Sequence, residues 1–106
     1  MTGKVGATVS LAEAQRAARL TGLSILATLD AELGSLDRVE RIVKVLGMVN
    51  VAPGFNLTPA VIDGCSDLLV EVFGHAGHHT RRAVGPAELP FDIAVEIELI
   101  AKVRPA

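Results

Sequence analysis

The sequence predicts an α+β fold in which two helices cover one face of a mixed β-sheet. Two stretches, residues 11–33 and 58–73, carry apolar side chains at the three- and four-residue spacing of amphipathic helices. Three other stretches have the composition of strands: residues 38–50, 82–84 and 91–103. The predicted element order is therefore α-β-α-β-β, within one domain that spans residues 1–106.

The first helix has clear signals at both ends. Ser10 and Glu13 have the spacing of a capping box, and Gly34 is placed to end the helix in the left-handed conformation. The predicted core-facing stripe comprises Leu11, Ala14, Ala18, Ile25, Leu29 and Leu33. Because glycine inside a helix costs roughly 1 kcal/mol relative to alanine, we expect Gly22 to mark a close approach to the sheet.

The central strand is apolar on both faces, which is typical of a buried strand. The alternation places Val43, Val45, Gly47 and Val49 on one face and Ile42, Lys44, Leu46 and Met48 on the other. In the second helix we expect Thr58 to be the N-cap and Pro59 the first helical residue. Cys65 falls on the apolar stripe of this helix, where a buried thiol is unreactive, and Gly74 ends the helix.

Composition argues against several classes of function. The net charge is −2 and only 3% of residues are aromatic, so we expect no nucleic-acid partner. Apolar runs are shorter than the roughly 20 residues that span a bilayer, and residues 1–6 lack the apolar centre of a signal peptide. The single Cys65 fits a reducing compartment. These features predict a cytoplasmic protein without a membrane partner.

The last quarter of the chain carries the candidate chemistry. Arg81 and Arg82 lie in a short extended segment, and Glu96 and Glu98 share one face of the last strand because they are two residues apart. If the last two strands pair, a guanidinium faces a carboxylate across the turn. That arrangement can hold a small carboxylic acid beside a water molecule. The alternative interpretation is that Arg81 is a surface arginine on an edge strand, and that Glu96 and Glu98 form the exposed face of an amphipathic strand.

Several motifs carry a family resemblance. Near the C-terminus they are Arg81-x-Ala83-Val84, Leu89-Pro90 and Val95-Glu96-Ile97-Glu98. Upstream they are Gly34-x-Leu36-x-Arg38-Val39, the run from Val43 to Asn50, Pro53-Gly54-Phe55, and Gly64-x-Ser66 with the run that follows it to Gly74. In combination these motifs resemble the RidA/YjgF superfamily of imine and enamine deaminases, whose members are also described as L-PSP endoribonuclease-like, and specifically a YjgF-like branch of it.

The resemblance implies a chorismate-mutase-like fold that assembles as a homotrimer. It implies that Arg81 fixes the substrate carboxylate, that Glu96 orients the hydrolytic water, and that Ala83 lies in the substrate-binding segment. No cofactor and no metal are implied. Typical members begin with a β-hairpin that has no counterpart before the first helix of this sequence, which predicts an N-terminally truncated version of the fold. Ser66 stands where many members have asparagine.

Two functional classes follow. One is an enzyme that hydrolyses reactive 2-imino or 2-enamino acids to 2-oxo acids and ammonia. The other is a non-catalytic module that binds small molecules or supports assembly on the same trimeric scaffold, which the missing hairpin favours. A ribonuclease is a weaker third reading, because the chain is acidic and poor in aromatic residues. For His75, His78 and His79 we expect a solvated loop rather than a metal site.

Overall fold

The computed structural model describes residues 1–106, and its elements follow the predicted α-β-α-β-β order. They are α1 (Leu11–Leu33), β1 (Val39–Val49), α2 (Thr58–Phe73), β2 (Thr80–Val84) and β3 (Val95–Val103). Both helices pack on one face of a three-stranded mixed sheet, which confirms the predicted fold class. Neither helix has the length and apolar character needed to cross a membrane.

The sheet order differs from the one that the candidate site required. The strands are ordered β2-β1-β3, with β2 parallel and β3 antiparallel to β1. The last two strands do not pair, because β1 lies between them, so the condition under which Arg81 would face Glu96 across the turn is not met. The physical reason is that α2 is a crossover connection, which places β2 parallel to β1. The chain then returns along the other edge of β1 as β3.

Helix α1 begins and ends as its sequence predicts. Ser10 Oγ accepts a hydrogen bond from the Glu13 N–H at 3.1 Å, and the Ser10 N–H donates to Glu13 Oε1 at 3.0 Å. The backbone hydrogen bond from Ser10 lowers the pKa of Glu13. Gly34 ends the helix with φ of 82°. The buried residues of α1 are Ala14, Ala17, Ala18, Gly22 and Leu26. The predicted stripe is correct for Ala14 and Ala18 and for Leu11 and Leu33, which pack against the core, whereas Ile25 and Leu29 are only half-buried.

The two helices touch through small residues. A Cβ at Gly22 would lie 3.0 Å from Leu68 Cδ2 and 3.1 Å from Cys65 Sγ. Gly22 therefore packs against α2, and the prediction that it packs on the sheet is wrong. A Cβ at Gly64 would lie 2.1 Å from the carbonyl oxygen of Gln15. This close contact brings the helices together above the sheet.

Strand β1 has an irregularity that alternation alone does not predict. Its pairing with β3 shifts register between Val39 and Arg41 and again between Ile42 and Lys44. Such a bulge turns the next side chain to the other face. Ile42 is consequently fully buried under the helices, whereas Val43 is only half-buried. The prediction that Ile42 shares a face with Leu46 is wrong for this reason.

The side of the sheet away from the helices has no covering layer, and we call it the open face. Residues that pair across strands share a face, so the register defines its members. They are Lys44, Leu46, Met48, Thr80, Arg82, Val84, Glu96, Glu98 and Ile100. Ile100 is 58% exposed and Val84 is 40% exposed. Val95, Ile97 and Leu99 lie on the helix-facing side, which confirms the predicted alternation in β3.

The remaining boundaries contain small corrections. Thr58 does not act as the N-cap of α2, since its hydroxyl instead donates to the Ala83 carbonyl at 3.0 Å and ties α2 to β2. Strand β2 begins at Thr80, two residues before the predicted start. Strand β3 begins at Val95, because residues 90–92 form a 3-10 turn in which Phe91 and Asp92 both have φ of 56°.

Candidate active site

Arg81 is fixed against α2 by two contacts from a single nitrogen. It pairs with Val45 and so lies on the helix-facing side of the sheet. Its Nη1 donates to Asp63 Oδ1 at 2.6 Å and to Ser66 Oγ at 3.3 Å. Its Nε and Nη2 have no acceptor within the chain, and 25% of the side chain is exposed. The edge of the guanidinium formed by Nε and Nη2 is therefore free to bind a carboxylate with two parallel hydrogen bonds.

His79 joins this cluster through Ser66. Its Nδ1 lies 2.6 Å from the Gly77 carbonyl oxygen, and its Nε2 lies 3.0 Å from Ser66 Oγ. A carbonyl oxygen can only accept, so Nδ1 carries the proton and donates. In the neutral imidazole Nε2 is then the acceptor, and the Ser66 hydroxyl donates to it. Ser66 Oγ thus donates to His79 and accepts from Arg81.

The expectation that His79 belongs to a solvated loop is wrong, because its ring is half-buried with both nitrogens occupied. His75 and His78 are exposed, with ring centres 5.9 Å apart. No group of three or more His, Cys, Asp or Glu side chains is arranged to hold a metal ion.

These residues line a polar groove of about 590 Å³ between α2 and β2. Its lining comprises Asp63, Ser66, Asp67, Val70, Glu71, His78, His79 and Arg81. The volume lies within the usual range for small-molecule sites, but a single apolar residue lines it. A small polar ligand suits such a groove better than an apolar one.

One carboxylate of the groove is already paired with α1. Glu71 Oε2 accepts from Arg19 Nη2 at 2.9 Å. This hydrogen bond lowers the pKa of Glu71 and raises the pKa of Arg19. Asp63 is paired with Arg81. Asp67 is exposed and makes no side-chain hydrogen bond or ion pair within the chain.

The structure does not bring Glu96 to Arg81. Glu96 pairs with Met48 and lies on the open face, whereas Arg81 lies on the helix-facing side. The predicted juxtaposition of guanidinium and carboxylate is therefore wrong within one chain. On the open face, Arg82 and Glu98 flank Leu46 from its two neighbouring strands. Arg82, and not Arg81, therefore shares a face of the sheet with Glu96 and Glu98.

Ala83 and Cys65 lie outside the groove. Ala83 pairs with Gly47 on the same side of the sheet as Arg81 but does not line the groove. Cys65 is fully buried, as predicted, and burial raises the pKa of its thiol to about 11. At neutral pH it is a protonated, inaccessible thiol.

Sequence reasoning missed Asp63 and His79. Asp63, Ser66 and Asp67 have the i, i+3, i+4 spacing that places side chains on one helix face, which is a local signal for a polar stripe. The stripe faces β2 because α2 is the crossover helix between β1 and β2. The spacing of residues within α2 does not reveal this.

Residues 1–103 match the family described as "YjgF/chorismate mutase-like, putative endoribonuclease". The chain belongs to this family. The match confirms the resemblance to the RidA/YjgF superfamily that the C-terminal motifs indicated, and it agrees with two helices packed on a mixed sheet.

Three relatives illustrate the similarity of this YjgF-family chain to known proteins. It is 44% identical over 105 residues to Protein TCP17 of Trypanosoma cruzi, covering 98% of this chain and 66% of that protein. The crystal structure of Atu1372 from Agrobacterium tumefaciens, a protein described as having unknown function, superposes with a TM-score of 0.94 at 44% identity. That superposition covers 97% of this chain and 66% of the other.

A second crystal structure, of a "putative endoribonuclease" from Shewanella oneidensis MR-1, superposes with a TM-score of 0.92 at 33% identity. It covers 96% of this chain and 68% of the other. The YjgF-family chain thus spans about two thirds of the length of each of these relatives.

Proposed function

We propose that this YjgF-family chain hydrolyses reactive 2-imino and 2-enamino acids to 2-oxo acids and ammonia. The observation that carries the proposal is the fixed guanidinium of Arg81, held by Asp63 with its Nε–Nη2 edge free at the side of a small polar groove. A 2-imino acid has a carboxylate bonded directly to the C=N carbon. Anchoring the carboxylate on Arg81 therefore positions the reacting carbon in the groove.

Hydrolysis of an imine needs water and proton transfer and no cofactor. Water adds to the C=N carbon, the π electrons move to nitrogen, and nitrogen takes up a proton. The resulting carbinolamine expels ammonia as the carbonyl forms. Arg81 contributes by binding the carboxylate, and its charge-assisted contacts also draw electrons from the adjacent carbon.

Ala83 keeps the substrate-binding role that the family resemblance implies, on the same side of the sheet as Arg81. Glu96 lies on the open face, so it keeps its role only in an assembly in which the β2 edge of another copy, with its Arg81, borders this face. We propose a homotrimer in which the open faces meet, because this face exposes Ile100 and Val84 without a covering layer. We also propose that residues 1–106 form a single domain and that the protein is cytoplasmic.

A second candidate is a module that binds 2-oxo acids without catalysis. The observation that favours it is the Asp63 carboxylate, whose Oδ1 lies 2.6 Å from Arg81 Nη1 and competes for the guanidinium charge. Both candidates predict binding of a small carboxylic acid, whereas only the first predicts turnover.

The endoribonuclease description of the family and of the Shewanella oneidensis protein gains no support from the groove. Arg81 is the one Lys or Arg side chain that lines it, whereas proteins that hold a phosphate backbone neutralise several phosphates with Lys and Arg.

The test is the loss of 2-iminobutyrate formed in place by threonine dehydratase, followed with and without the chain. We expect a faster disappearance of the imine in proportion to added protein. Calorimetry with 2-oxobutyrate and with a mononucleotide separates the candidates. Binding of 2-oxobutyrate without acceleration would favour the binding module, and tighter binding of the mononucleotide would contradict both.

A further inference from the structure

The Ser66 hydroxyl connects an anion-binding group to a base. Its oxygen lies 3.3 Å from Arg81 Nη1 and 3.0 Å from His79 Nε2. The Gly77 carbonyl fixes the other side of the imidazole at 2.6 Å, which selects the tautomer whose Nε2 is free to accept a proton. A hydroxyl, a base and a group that orients the base are the three parts of an acid–base relay.

The fold leaves few other groups for this task beside Arg81. Asp63 is bound to Arg81 itself, and Glu71 is bound to Arg19. Glu96 is on the opposite face of the sheet in the same chain. Asp67 also lines the groove but makes no hydrogen bond to Arg81 or to Ser66. His79 is the basic side chain of the groove that is linked to Arg81 through Ser66.

We propose that His79, acting through the Ser66 hydroxyl, moves protons between oxygen and nitrogen of the substrate bound at Arg81. This inference rests on the proposed imine hydrolysis. Ser66 is the group that touches the reacting atoms, and His79 acts through it.

The relay is used twice in each turnover. When water attacks the C=N carbon, a water proton passes to Ser66 Oγ as the Ser66 proton passes to His79 Nε2. The imidazolium returns a proton through Ser66 to the nitrogen that received the π electrons. In the second half, the carbinolamine hydroxyl gives up its proton by the same route and the nitrogen receives it. The C–N bond then breaks with its electron pair on ammonia, the C=O bond forms, and His79 is neutral again.

The charges around His79 define the conditions for a pH test. The charged and titratable groups that share the groove with His79 come from α2, from its own loop and from β2. They are Asp63, Asp67, Glu71, His78 and Arg81. Arg19 on α1 is the ion-pair partner of Glu71. Of these, histidines are the side chains that ordinarily change charge between pH 5 and 8. His78 is therefore varied together with His79.

The experiment measures kcat, KM and the pH profile of 2-iminobutyrate hydrolysis, with 2-oxobutyrate affinity from calorimetry. We expect His79→Gln to lower kcat by about 10²–10⁴-fold, the range typical of general acid–base catalysis. The affinity for 2-oxobutyrate should stay within about threefold, because Arg81 remains held by Asp63. The decline of kcat/KM at acid pH should disappear in this variant and persist in His78→Gln.

Two further variants separate a relay from a structural role. Ser66→Ala removes the hydroxyl and should reduce kcat as much as His79→Gln does. Ser66→Thr keeps a hydroxyl and should therefore keep most of the wild-type kcat. His75→Gln makes the same chemical change outside the groove and should behave as the wild type. An active wild type whose His79→Gln variant keeps its kcat would overturn this inference alone. A wild type that accelerates nothing would overturn the proposed function.

The tautomer can be measured without any activity. In ¹⁵N spectra of the wild type above neutral pH, His79 should carry its proton on Nδ1. Adding 2-oxobutyrate should shift the Nε2 signal in the wild type and leave it unchanged in Ser66→Ala. A proton on Nε2 would contradict the relay, whatever the kinetics.

Discussion

Asp63 on α2 and Arg81 on β2 form an ion pair that links the crossover helix to the edge strand, with Asp63 Oδ1 2.6 Å from Arg81 Nη1. The pair orients the guanidinium and leaves its other edge free. The same carboxylate also places a negative charge close to the proposed anion site. Asp63 therefore favours binding of an anion by orienting Arg81 and disfavours it by charge repulsion.

Replacing Asp63 separates these effects. Asp63→Asn keeps an oxygen that accepts from Arg81 and removes the charge, so we expect 2-oxobutyrate to bind about fivefold more tightly, equivalent to about 1 kcal/mol of relieved repulsion. Asp63→Ala also removes the acceptor and should bind less tightly than Asp63→Asn. Calorimetry at low salt measures both affinities. Weaker binding by Asp63→Asn than by the wild type would show that the charge is needed for the site.

The contact between the helices predicts unequal effects of two glycine substitutions. Gly64→Ala places a methyl group 2.1 Å from a backbone oxygen, so the helices must move apart, and overpacking of this kind typically costs about 1–3 kcal/mol. Both variants gain about 1 kcal/mol of helix propensity. The new methyl group of Gly22→Ala, however, closely approaches only the ends of two side chains, so this variant should be close to neutral. Urea denaturation of both variants measures the free energy of unfolding. Equal stabilities would contradict the helix contact described above.

Cys65 gives a pH-dependent prediction. Burial raises the pKa of its thiol from 9.0 to about 11, so the unfolded chain releases this proton at lower pH than the folded chain. The contribution of the thiol to stability is therefore present below pH 9 and is lost as the pH rises toward about 11. We expect a thiol reagent to leave Cys65 unmodified at pH 8 until urea unfolds the protein. Rapid modification of the folded protein would contradict the buried position.

The proposed assembly predicts a mass in solution. The open face exposes Ile100 and Val84, and the outer edge of β3 has no partner strand. We expect sedimentation at micromolar concentration to give the mass of three chains. Ile100→Lys should shift the equilibrium toward monomers, whereas Leu20→Lys, on the exposed side of α1, should not. A monomeric wild type would remove the proposed role of Glu96.

Local signals predicted the elements well, because they act within a few residues. The capping box at Ser10 and the left-handed Gly34 set the limits of α1 in the sequence as they do in the structure. The alternation in β3 likewise placed Glu96 and Glu98 on one face. The buried position of Cys65 followed from its place on an apolar stripe.

The site depended on relationships that no short segment contains. Arg81 and Glu96 are separated because β1 lies between their strands and because the register places them on opposite faces. Ile42 is buried because β1 is bulged against β3. The contact between Ser66 and His79 joins a helix to a loop beyond its end, so it appears only when α2 packs beside β2.

The most direct test of the account is the rate of 2-iminobutyrate hydrolysis by Arg81→Ala, measured beside Arg81→Lys and the matched control Arg82→Ala. A charge-assisted, two-point contact is worth roughly 1.5–3 kcal/mol, so kcat/KM of Arg81→Ala should fall by about ten- to hundredfold. Arg81→Lys keeps the charge but loses the planar fork and should also be impaired. Arg82→Ala changes the open face outside the groove and, with the same mass in sedimentation as the wild type, should retain the wild-type rate. Full activity of Arg81→Ala, or an equal loss in an Arg82→Ala variant of unchanged mass, would contradict the assignment of Arg81 as the residue that anchors the substrate.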